Sequence, residues 1–71
     1  MATYFAELDH LTGTRIGARA CFRVISLRDE SGVDRTKWVD PGTLYSSLDE
    51  IATDIARALG VPQSQIEVVE A

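Results

Sequence analysis

One stretch limits what this chain can become more than any other: Ser47-Leu48-Asp49-Glu50, followed by apolar residues at three- and four-residue steps and closed by Gly60-Val61-Pro62. Ser47 and Glu50 have the capping-box spacing, in which the hydroxyl and the carboxylate each satisfy a backbone N–H left free at a helix start. Asp49 and Glu50 also sit at the positive end of the helix dipole. Leu48, Ile51, Ile55, Ala58 and Leu59 make one apolar face, while Asp49, Glu50, Thr53, Asp54 and Arg57 belong to the wet side. Asp54 and Arg57 are spaced for an i,i+3 ion pair. Gly60 supplies a left-handed stop, and Pro62 keeps the helix from resuming. A helix with one apolar face has to be laid on something.

The flanking sequence provides a sheet. From residue 2 to residue 9 the side chains alternate, with Tyr4, Ala6 and Leu8 on one side and Thr3, Phe5, Glu7 and Asp9 on the other. Period two marks a half-buried strand. Residues 10–14 read as a turn, because Gly13 tolerates a positive φ. Residues 15–28 then alternate again, with Ile16, Ala18, Ala20, Phe22 and Val24 opposed to Gly17, Arg19, Cys21 and Arg23. Ile25 and Leu27 break that pattern, which calls for a β-bulge or a second covered face. Asp29-Glu30-Ser31-Gly32 is a turn by composition, and residues 33–39 form a thin third strand rich in charge, as edge strands are. Asp40-Pro41-Gly42 breaks the chain, and after the helix Ile66 and Val68 alternate with Glu67 and Val69 in a last strand.

The order β-β-(β)-α-β predicts a small α+β domain over residues 1–71. Its sheet of three to four strands is mostly antiparallel, with one helix packed on one face. The core expected from these patterns is Tyr4, Ala6, Leu8, Ile16, Phe22, Val24, Leu48, Ile51, Ile55, Leu59, Ile66 and Val68. The helix acts as a crossover that returns the last strand parallel to the third, beside the first. With 71 residues there is room for one core and none for a separate cofactor domain.

Charge and cysteine usage narrow the function. Residues 1–39 hold six bases against five acids, and residues 40–71 hold one base, Arg57, against six acids, for a net charge of −4. Nucleic-acid binders carry a basic excess on one face, so this balance argues against a DNA or RNA partner and suits a basic protein instead. The apolar runs are too short to span a bilayer. The start at Met1-Ala2-Thr3-Tyr4 has neither a basic segment nor a hydrophobic signal core, and the single Cys21 fits a reducing cytoplasm.

Chemistry finds little purchase. His10 and Cys21 are the only residues of their kinds and have no ligand spacing, so no metal or cofactor is expected. Asp49, Glu50 and Asp54 are explained by capping and solvation. Cys21 lies mid-strand between Ala20 and Phe22, where a small half-buried thiol is the ordinary reading. No phosphate-cradling glycine motif is present. The chain is therefore read as a non-enzyme.

Binding fits better. Lys37, Trp38 and Tyr45 surround the Asp40-Pro41-Gly42 break, and Trp, Tyr and Arg are frequent interface anchors. On the sheet face away from the helix, Arg19 and Arg23 are interleaved with Phe5, Cys21, Ile25 and Leu27, a mixture too apolar to be wholly wet. Phe5, Arg19, Arg23, Ile25, Lys37, Trp38 and Tyr45 are thus the candidate protein-binding residues. The strand meander followed by Ser47-Leu48-Asp49-Glu50-Ile51-Ala52 resembles the N-terminal domain of HicB-type antitoxins over roughly residues 1–60. That family carries a Phe-Pro-Asp-Leu-Pro-Gly type signature after its second strand, where this chain has Ser26-Leu27-Arg28-Asp29. The expected function is a small interaction module, inhibitor- or antitoxin-like, that occupies a partner protein's surface and forms a homodimer through its sheet. Two alternatives stay open. One is a small RNA-binding or RNA-cleaving protein using His10, Arg15, Arg19 and Arg23, and the other is a structural subunit of a larger assembly.

Overall fold

The computed structural model describes residues 1–11 and 21–71. Strand β1 (Ala2–Asp9) is central, with β2 (Arg23–Asp29) antiparallel on one side and β3 (Ile66–Glu70) parallel on the other. Helix α1 (Leu48–Leu59) packs on one face of this mixed sheet. The expected small α+β architecture, with the last strand beside the first, is what the structure holds. The turn predicted at residues 10–14, and with it Ile16 and Arg19, falls largely or wholly outside the described residues.

The break in alternation near Ile25 is a β-bulge. Glu7 pairs with Ser26 but Leu8 pairs with Val24, so Ile25 is the extra residue on β2. The bulge resets the parity of the strand. Val24 and Leu27 both reach the core side, at 1% and 0% exposure, and Ile25 is left 52% exposed. Leu27 therefore belongs to the core rather than to the open face on which strict alternation had put it.

Residues 33–39 do not form the third strand. Asp34 makes an isolated bridge to Arg28, and Thr36–Trp38 turns as a short 3-10 helix. The last strand consequently runs parallel to β1, not to a strand at 33–39. Local hydrogen bonds explain the difference: the Asp34 carboxylate accepts the Thr36 N–H at 2.8 Å, a side-chain turn that competes with extended pairing. The meander on which the likeness to HicB-type antitoxins rests is thus one strand short.

What residues 33–45 do instead is shield the outer edge of β2. Arg35 N–H donates to Leu27 O at 2.7 Å, Leu27 N–H donates to Thr36 Oγ1 at 3.0 Å, and Phe22 and Tyr45 exchange two backbone bonds of 2.8 Å. The turn before them closes with Gly32 at φ 82°, a left-handed value that suits glycine. The described backbone pairs β3 with β1 alone, so β3 forms the other edge of the sheet.

Helix α1 starts and stops as its residues dictate. The Glu50 N–H donates to Ser47 Oγ at 3.3 Å, while the Glu50 carboxylate reaches one residue further back and takes the Ser46 N–H and hydroxyl. Gly60 ends the helix at φ 71°, and the Val61 N–H bonds Ala56 O at 3.0 Å. The buried stripe is Ile51, Ala52, Ile55 and Ala56, with Leu48 half-buried. Ala58 is exposed and Leu59 is 38% exposed, against expectation. Two alanines on the buried stripe let the helix approach the sheet closely, and Leu59 occupies the last turn, where α1 gives way to Gly60 and the chain leaves for β3. Val39 and Tyr45 complete the core at 7% and 3% exposure.

Candidate functional site

The candidate residues divide between two sides of the molecule and its interior. Phe5, Arg23 and Ile25 lie on the open sheet face, and all three are exposed. Lys37 and Trp38 belong to the segment that wraps β2, and Trp38 reaches Tyr4 on the helix side of the sheet. Tyr45 is in the core, so its ring offers no contact area; an aromatic beside a Pro-Gly break reads the same from sequence whether it anchors outward or inward. Arg19 is outside the described residues.

Trp38 is held rigidly for a half-buried side chain. Its ring meets Tyr4 edge-on, with centroids 5.9 Å apart at 72°, and the Arg35 guanidinium carbon lies 4.8 Å from its centroid. Arg35 is held in turn by Asp29, Nε to Oδ2 at 3.1 Å. Asp29 also accepts N–H bonds from Ser31 and Val33. The Val33 N–H foremost, then Arg35, holds the Asp29 carboxyl below the usual carboxylate range. Asp34 and Asp40 are lowered likewise, by the Thr36 and Gly42 N–H groups. A chain of short local bonds thus fixes the one tryptophan against the core's edge.

Beside Trp38 lies a groove of about 460 Å³ whose walls include Lys37, Asp40, Asp54, Arg57 and Ala58. Asp54 accepts the Tyr45 hydroxyl at 2.6 Å and Arg57 at 3.4 Å. Burial first, and the Asp54 carboxylate second, push the Tyr45 hydroxyl up to about 12. Asp54 and Arg57 were legible only as a solvent ion pair; that they wall the groove depends on where residues 37–43 land.

The open face is organised around Phe5, which pairs with Arg28 on β2 and Val69 on β3. Phe5 and Val69 are 40% and 39% exposed. Glu7 is opposite Ser26, Glu67 is beside Thr3, and Glu30 takes the Thr3 N–H at 2.9 Å. Arg23 pairs with Asp9 at 3.1 Å. His10 Nε2 lies 2.9 Å from Glu70 Oε2 and edge-on to Phe22. Glu7 and Asp9 share this face with Phe5 as the alternation of β1 predicts, whereas Glu67 and Val69 escaped notice because their membership follows from the β1–β3 register, which no local pattern encodes.

Among the described residues no group of three or more His, Cys, Asp or Glu is placed to hold a metal ion, and no helix is long and apolar enough to cross a membrane. In comparisons with known proteins, the chain matches no protein-family model, no curated protein and no solved structure.

Proposed function

We propose that the protein is a non-enzymatic interaction module, inhibitor- or antitoxin-like, that acts by occupying the surface of another protein, with Trp38 as its anchor. The observation that carries this reading is the Trp38 ring, half-buried and packed between Arg35 and Tyr4 at the lip of a groove. A rigid aromatic loses little conformational entropy on binding, which is why such residues dominate interface energetics. The groove, walled by Lys37, Asp40, Asp54 and Arg57, takes a polar or charged side chain of the partner beside the ring. The acidic surface of α1, with Asp49, Glu50 and Asp54, favours encounter with a basic protein.

The test is capture of the tagged chain from lysate of its native host, with and without nuclease, beside Trp38→Ala and Lys37→Glu variants. The expected result is a stoichiometric protein partner that survives nuclease and is lost with Trp38→Ala. A partner that binds the Trp38→Ala chain equally well defeats the assignment. Association that vanishes with nuclease moves the function to RNA.

A further inference from the structure

We propose that the open sheet face is a second binding surface, and that its occupant is a basic amphipathic helix of another protein. This does not depend on the Trp38 groove, which lies toward the other side of the sheet.

The apolar part of the face is a strip. Phe5 and Val69 are register neighbours on β1 and β3, and the bulge adds Ile25 at 52% exposure. Next to Phe5 is a hollow of about 360 Å³, bounded by Glu7, Ser26, Arg28 and Ala71, which accepts one side chain. Three strands spaced about 4.8 Å apart make a face on the order of 10 Å between outer strands. That is the width of a single helix, roughly 10–12 Å. The opposite face is already covered by one helix, α1, so the same sheet accommodates a second in a three-layer arrangement.

Charge selects the kind of helix. Glu7, Glu30 and Glu67 rim the strip, and none has a cation within 4.0 Å among the described residues. Arg23 is neutralised by Asp9, which leaves Arg28, whose charge also acts on Asp34, as the one described cation of this face without an ion pair within 4.0 Å. Among the described residues the rim is therefore short of positive charge. A second copy of this chain would bring the same carboxylates and double the excess, and a nucleic acid or anionic membrane would be repelled. An apolar stripe flanked by lysine or arginine fits both the strip and its rim.

The experiment titrates the full chain with two synthetic peptides: an amphipathic helix with a leucine face flanked by lysines, and its twin with glutamates in place of the lysines. The lysine peptide binds one-to-one, the glutamate peptide does not, and added salt weakens the binding. Glu67→Lys weakens it about two- to fivefold, and Arg28→Glu tightens it by a similar factor. Phe5→Asp abolishes it, while Trp38→Ala leaves it unchanged, so failure here and failure of the Trp38 groove are told apart. These positions are all exposed or half-buried, and circular dichroism checks that each variant is folded. The proposal is overturned if the lysine peptide does not saturate, if both peptides bind alike, or if Phe5→Asp has no effect. A wild-type dimer that Phe5→Asp converts to monomer would overturn it too, since a second copy would then hold the face.

Discussion

Tyr45 does more for this molecule than any neighbouring aromatic, and it does so from inside. Its backbone pairs with Phe22, its ring is buried, and its hydroxyl donates to Asp54 while accepting the Asp40 N–H at 3.3 Å. Ionising that hydroxyl would set a buried anion against Asp54. Because the folded pKa, about 12, lies above the ordinary 10, the folded state holds the proton more tightly. The resulting stability is fully present below pH 10 and is lost as pH rises through 12. Tyr45→Phe removes the bond to Asp54 and costs about 1–2 kcal/mol near neutrality. It also removes this part of the alkaline loss, so roughly 1 kcal/mol of the wild-type advantage is gone by pH 11. Urea unfolding of both chains at pH 8 and pH 11 measures this, and a constant gap between them would refute it. The residue was singled out from sequence for the right chemistry on the wrong side, because an aromatic's direction depends on which strand its backbone joins.

At the level of elements, local signals read true where one segment decides its own fate. Strand β1 and helix α1 with its Ser47 cap and Gly60 stop are of this kind, since alternation, capping and a left-handed glycine are settled within a few residues. Residues 33–39 misled because an edge strand and a wrapped segment have the same polar composition, and only their bonds to Leu27 and Asp29 separate them. The bulge is an intermediate case: the broken alternation was visible, and the pairing identifies Ile25 as the surplus residue. A chain lacking Ile25 would keep Val24 and Leu27 on the core side and pair Glu7–Ser26 and Leu8–Val24 in an unbroken ladder. We expect deletion of Ile25 alone to leave a folded protein with cooperative unfolding, whereas deletion of both Ile25 and Ser26 puts Val24 and Leu27 on opposite faces and unfolds it. Equal loss of structure in the two deletions, by circular dichroism and thermal melting, would count against the register.

At the scale of the whole molecule, a 71-residue chain spends residues 33–45 on a wrap around one sheet edge. Between residues 29 and 43 the wrap buries little apolar surface beyond Val39 and part of Trp38, and that stretch is held by carboxylates that accept nearby N–H groups. Asp29, Asp34 and Asp40 all have lowered folded-state pKa values, so what they contribute is present above about pH 4 and is lost as pH falls through those values. The core between α1 and the sheet contains no buried charged side chain among the described residues, and hydrophobic burial does not titrate. Acid should therefore loosen the wrap before it melts the rest. Trp38, the only tryptophan, sits on the wrap, and its emission reports how the wrap packs against Tyr4. Its emission should shift at a higher pH than the one at which far-ultraviolet dichroism collapses, and Asp29→Asn should move the fluorescence transition toward neutrality while leaving the dichroism transition in place. Coincident transitions in the wild type would mean that wrap and core fold as one unit. In that case the rigid Trp38 platform would draw its order from the core through Tyr4, rather than from the carboxylates of its own segment.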